Sequence, residues 1–195
     1  MNKQNLINES DKEEYCERIY KDYILKAKEL IIACRSYACV LMAKLPISCY
    51  TNFRDALFHF YKMYICVTDV DVYNQAFAIN EHLSRAQTDA FNTIMNLFSC
   101  TIEAMLKNDQ IKIHDALRVY LHYFKSYQLK KRVKGMMIFD KNISLLDTNF
   151  NEALNKISGF LDYIQKNKLE KEMKESIQNK DEGINYIEAT SGSLL

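Results

Sequence analysis

"VYNQAFAINEHLSRAQTDAFNTIMNLFSCTIEAMLK", residues 72–107, contains neither proline nor glycine. Phe77, Leu83, Ala86, Ala90, Ile94, Leu97, Thr101 and Met105 recur along it at helical spacing. The pattern predicts one long helix from about Val72 to Lys107 with a single apolar stripe. A helix that long needs partners along its length, and the rest of the chain must supply them. Only 4 glycines and 1 proline occur in 195 residues, too few for the tight turns of an all-β fold, so helices must dominate.

Upstream, Ser10 and Glu13 form a capping box ahead of Tyr15, Ile19, Tyr23, Ala27, Leu30, Ile31, Cys34, Ala38 and Leu41, which predicts a helix ending near Leu45, before Pro46. A second helix is expected from Thr51 or Asn52 to about Val67, with Phe53, Leu57, Phe60, Tyr64 and Val67 as its core face. "TDVDVY" reads as a loop in which Asp71 caps the next helix. Downstream, helices are expected from about Gln110 to Val133, with Gly135 as the stop, and from Asp147 through Phe150, Leu154, Ile157, Leu161 and Ile164 into the charged stretch "KNKLEKEMKESIQNK". The expected fold is all-α: an antiparallel bundle of about five helices forming one domain over residues 1–180, with a frayed tail over 181–195.

A net charge of +1 gives no global electrostatic signature of nucleic-acid binding. The six cysteines (Cys16, Cys34, Cys39, Cys49, Cys66, Cys100) sit singly in apolar patterns, without a CxxC pair or a histidine at metal-ligand spacing, and are expected to be reduced and buried. No metal site or cofactor is expected. The N-terminus lacks the apolar core of a signal peptide, and "LIIACRSYACVLMAKL" is too short and interrupted to span a bilayer, so a soluble, cytoplasmic protein without membrane contact is expected.

One segment carries chemistry. "NFRDALFHFYKMY", residues 52–64, places Arg54, Asp55, His59 and Tyr61 on the second helix, with Phe58 and Ile65 turned away from the expected core. Arg54 followed by four residues and then His59, with Tyr61 two further on, resembles the Arg-x4-His-x-Tyr motif of the HEPN superfamily (higher eukaryotes and prokaryotes nucleotide-binding). The match is close over about ten residues and architectural elsewhere, and this chain is longer than the compact toxins of that superfamily. The resemblance implies a metal-independent endoribonuclease, of the kind found in toxin–antitoxin and phage-defence systems, in which two subunits pair so that both motifs face one cleft. It also implies an antitoxin or effector partner and makes Tyr61 a phosphate-binding or modification site.

The residue types suit that chemistry. An imidazole titrating near neutral pH can take a 2′-hydroxyl proton, and a guanidinium matches a phosphate. His59 is thus the expected base and Arg54 the clamp. Asp55, one turn before His59, can orient the imidazole, and the product is a 2′,3′-cyclic phosphate. On an ideal helix Arg54 and His59 point roughly 140° apart, so convergence needs a distorted first turn near Asn52 or a second subunit. The latter is favoured. The alternative is a non-enzymatic bundle that binds a protein partner or RNA, with Arg54 and His59 as solvated flanks.

A second basic segment, "HDALRVYLHYFKSYQLKKRVK", offers Arg118, Lys130, Lys131 and Arg132 among tyrosines, either to follow an RNA backbone or to complement a helix dipole. In "NEHLSRAQTDAF", Glu81, His82, Arg85 and Asp89 read as a salt-bridge ladder, with a supporting role beside His59 as the alternative.

Overall fold

The computed structural model describes residues 8–107, 114–128 and 142–178. Its elements are α1 (Glu9–Ile19), a π-helical turn (Tyr20–Leu25), α2 (Lys26–Val40), α3 (Ile47–Ile65), α4 (Asp69–Leu106), α5 (His114–Gln128) and α6 (Asn142–Lys166), with a further helical stretch over 170–178. The protein is all-α, with no strand among the described residues. They group into two compact units, one reaching Thr93 without Val40–Met42, the other continuing from Ile94.

In the first unit, the Asn8 side chain accepts from the Ser10 amide at 3.2 Å, so Asn8 caps α1 in place of the expected Ser10–Glu13 box. Buried Cys16 and Ile19 are followed by Ile24 and Ala27. The step from Ile19 to Ile24 is one residue too long for an α-helical stripe, and the π turn at Tyr20–Leu25 absorbs it, keeping Ile24 inside.

The helix then stops at Val40, short of the expected Leu45. Met42 takes a left-handed φ of 53° and the Ala43 amide donates to the Ala38 carbonyl at 2.9 Å, closing a Schellman cap. A methionine in this conformation is strained where glycine is not. Met42→Gly is therefore expected to raise stability by about 0.5–1 kcal/mol in urea unfolding followed by circular dichroism.

Pro46 is the residue before α3, with a ψ of 147°, and the helix starts at Ile47. Thr51 and Asn52, expected to cap it, lie inside. Its core face is also turned by one position from the expected one. Cys49, Ala56 and Met63, seven apart, are buried, whereas Leu57, Tyr64 and Val67 are exposed. Cys49, Ala56 and Met63 form the seam, and the bulky Leu57 and Tyr64 flank it. The outward placement of Phe58 and Ile65 holds, at 56% and 64% exposed.

The α1 helix packs on α3 through Lys12, only 5% exposed, whose ammonium donates to the Tyr64 and Cys66 carbonyls at 3.1 and 3.3 Å and to Glu9 at 3.2 Å. A cation is thus buried on the last carbonyls of α3, where the helix dipole is negative. Lys12→Met keeps the stem but leaves two carbonyls unpaired, and is expected to cost about 1–3 kcal/mol by the same unfolding measurement.

The "TDVDVY" segment is not a loop, since α4 begins inside it at Asp69. Thr68 is the cap: its hydroxyl accepts from the Asp71 amide at 3.2 Å and donates to the Asp71 carboxylate at 2.6 Å. In α4 the buried series Val72, Ala76, Ile79, Leu83, Ala86, Ala90 alternates steps of four and three. Phe77, expected in the stripe, is 46% exposed, because Ala76 takes the inward place.

The second unit is organised around Phe98, Phe124 and Phe160, one each from α4, α5 and α6, all fully buried. Their ring centroids lie 5.7 Å (Phe98–Phe124 and Phe98–Phe160) and 6.1 Å (Phe124–Phe160) apart. Lys125 pairs with Glu103, and the Tyr123 hydroxyl donates to Glu152. The α6 helix starts at Asn142, so Asp147 lies within it and does not cap it. The charged stretch after it is not a continuation: the chain turns at Asn167–Lys168, and Leu169, Met173 and Ile177 are buried along the next helical stretch. The expected tail, 181–195, and Gly135 lie outside the described residues.

Candidate functional site

Three side-chain contacts fix how α3 meets the first half of α4. Ser48 donates to Asp89 at 2.9 Å, Asn52 contacts His82 at 3.2 Å, and His59 contacts Gln75 at 2.8 Å. As the number rises on α3 it falls on α4, so the helices are antiparallel. Asn52 and His59 are seven apart, as are Gln75 and His82, so each pair lies on one face of its helix. An amide is thereby set opposite each imidazole.

The two imidazoles stack, with centroids 5.3 Å apart and planes 20° from parallel. His59 Nδ1 faces Gln75 Oε1, and His82 Nδ1 faces Asn52 Oδ1. An amide oxygen only accepts, so these contacts are hydrogen bonds from rings that carry a proton on Nδ1, and they leave Nε2 as the ring nitrogen not used in the contact. Burial, and next the charge of His59, holds the His82 imidazole below the usual histidine range. Both rings are half-buried.

Arg54 is on the solvent side, its side chain 74% exposed, donating through Nε and Nη2 to Asp55 Oδ1 at 3.1 and 2.8 Å. That hydrogen bond is the main cause that holds the Asp55 carboxyl below its usual range, and the fields of His82 and His59 act in the same direction. Asp55 is therefore the group that faces both the guanidinium and the imidazole pair. Asn52 lies in regular helix, well past Ile47, which removes the expected distorted first turn. Within one chain, Arg54 and His59 are held by different partners. Tyr61 stands 63% exposed on the same helix.

Of the other expected site residues, Arg118 is exposed on α5, in the second unit, 3.9 Å from Asp115. Lys130, Lys131 and Arg132 lie outside the described residues. In the expected ladder, Glu81 and Arg85 pair at 3.7 Å, and Asp89 accepts from Ser48. All six cysteines are free thiols; Cys16, Cys34 and Cys49 are buried as expected, but Cys39 is exposed and Cys66 and Cys100 are half-buried. Burial pushes Cys34 up to about 12 and Cys49 to about 11, so neither is a thiolate nucleophile near neutral pH. No group of three or more His, Cys, Asp or Glu side chains among the described residues is placed to hold a metal ion, and no described helix is long and apolar enough to cross a membrane.

Sequence reading did not assign Asn52 and Gln75 to the site, and took His82 chiefly for a ladder residue. The signal was available as two seven-residue repeats of polar side chains, 52/59 and 75/82, on helices that are otherwise apolar at the seam. Compared with protein-family models, curated proteins and solved structures, the chain matches none.

Proposed function

We propose that the chain is a HEPN-type, metal-independent endoribonuclease that works as a homodimer, as a toxin or phage-defence effector under the control of an antitoxin or effector protein. The observation that carries this reading is the placement of His59, half-buried and held at Nδ1, beside Asp55, which also engages the exposed Arg54. The Arg54–Asp55 pair is exposed and contributes little to folding, so a phosphate readily takes the guanidinium from it. Arg54 then clamps the phosphodiester, His59 moves a proton while Gln75 orients its ring and Asp55 places a carboxylate beside the imidazole pair, and Tyr61 donates to a phosphate oxygen. Arg118, Lys130, Lys131 and Arg132 follow the RNA backbone.

The dimer brings the Arg54 of one subunit towards the His59 of the other, which the 140° splay on one helix requires. It also covers the exposed Leu57, Phe58, Tyr61, Tyr64, Ile65 and Val67. The same apolar face favours a second reading, a non-enzymatic module that docks a protein partner through α3.

Incubation of the protein with structured and unstructured RNA in EDTA separates the two. Fragments ending in 2′,3′-cyclic phosphate, with DNA of the same sequence uncut, support the nuclease. Intact RNA after prolonged incubation rejects it and leaves the docking module.

A further inference from the structure

We propose that His82 is a second catalytic residue of the RNA-cleaving site, taking the 2′-hydroxyl proton while His59 protonates the leaving 5′-oxygen; this rests on the ribonuclease reading above and changes His59 from base to acid.

The two rings come from different helices, lie 5.3 Å apart and are nearly parallel. Each is pinned at Nδ1 by an amide oxygen from the opposite helix, His59 by Gln75 and His82 by Asn52. That arrangement leaves two Nε2 atoms as the reactive positions. With the rings 5.3 Å apart, the pair offers one Nε2 for each of the two oxygens that exchange a proton in phosphodiester cleavage. A single imidazole would have to serve both oxygens in turn, whereas two need no reorientation between proton transfers.

The electrostatics divide the roles. The groups whose fields reach His82 are His59 and Asp55 from α3 and Arg85 and Glu81 from α4. Burial and the two cationic neighbours, His59 and Arg85, favour a neutral His82, outweighing the opposing carboxylates. A neutral His82 is the state a base needs, and the acid's part falls to the ring stacked on it, His59.

In the reaction, the 2′-hydroxyl proton moves to Nε2 of His82 as the O2′–P bond forms. The P–O5′ bond breaks, and its electron pair takes the proton from Nε2 of His59. The products are a 2′,3′-cyclic phosphate and a 5′-hydroxyl, and the pair returns to its starting state by exchange with water.

Two short RNA substrates test the assignment, one all-oxygen and one with sulfur replacing the bridging 5′-oxygen, since a thiolate leaves without an acid. His59→Ala is expected to lose about 10²–10⁴-fold on the all-oxygen RNA and to return to within about tenfold of wild type on the sulfur substrate. His82→Ala is expected to lose about 10²–10⁴-fold on both. The ratio of the two rates identifies the acid whatever the active fraction, and for His82→Ala, where both rates fall, a circular dichroism spectrum and urea midpoint matching wild type assign the loss to chemistry and not to unfolding. Should His82→Ala stay within about threefold of wild type on both substrates, His82 has no part in proton transfer; recovery of that variant on sulfur alone would overturn its role as base. Wild-type protein that cleaves neither substrate rejects the ribonuclease reading itself, and this proposal with it.

Discussion

Alanine at His59 and alanine at Arg54 are each expected to lower cleavage of natural RNA in EDTA by about 10²–10⁴-fold, read as initial rates with wild type alongside. Neither loss should come from unfolding. Arg54 is 74% exposed and its carboxylate partner is its own neighbour in sequence, so truncation removes a solvated pair and little packing. His59 is half-buried, and its loss frees one side of the Gln75 amide, which water can satisfy. The two variants also test the twofold arrangement. If each cleft takes its arginine from one subunit and its histidine from the other, a mixed dimer of Arg54→Ala and His59→Ala chains contains one intact cleft and one doubly damaged. Random mixing then restores about a quarter of wild-type activity, since about half the dimers are mixed and each has one working cleft of two. A site complete within one chain gives no restoration on mixing, and that outcome would refute the shared cleft.

The helical class was legible because it follows from quantities that sum over many residues: 4 glycines, 1 proline and sustained apolar spacing. What was misread was phase. On α3 the bulky Leu57, Tyr64 and Val67 looked like the core, yet Ala56 and Met63 are the buried positions. Hydrophobicity ranks Leu57 and Tyr64 together at least as high as Ala56 and Met63, and a rotation of one residue separates the two choices. The same conflict set Phe77 outside and Ala76 inside on α4. Boundaries failed for another reason. With few glycines available, α2 ends on a left-handed Met42 and α6 is followed by a left-handed Lys168, and neither residue type signals a stop in sequence.

The candidate site shows the same division between local and non-local information. Arg54, Asp55, His59 and Tyr61 lie within one short segment and could be singled out from it alone. His82 and Gln75 join them only through the register of α3 on α4, which depends on a seam that the sequence reading had turned by one position. Once Ala56 is placed inward, His59 swings towards α4 and its partners follow. The error in the core and the omission of His82 are therefore one error.

Phe98→Ala is expected to be among the most destabilising single substitutions, at about 3–5 kcal/mol, measured as a fall in the urea midpoint with an unchanged slope. Phe98 is fully buried and meets Phe124 and Phe160 at 5.7 Å each, the second edge-to-face, so its removal loses two ring contacts as well as apolar burial. The cavity would be walled by the Phe124 and Phe160 rings from α5 and α6, which are fixed by their own helices and collapse poorly into the space. Since a domain of ordinary stability has about 5–15 kcal/mol in total, the loss is a large share of it. Phe77→Ala provides the control on the same helix. Phe77 is 46% exposed, and its truncation is expected to shift stability by no more than about 0.5 kcal/mol. The contrast is between two phenylalanines of equal hydrophobicity and nearly equal helix propensity, so only their placement separates them. A Phe98→Ala loss below about 1 kcal/mol would show that the three rings do not form the centre of the second unit.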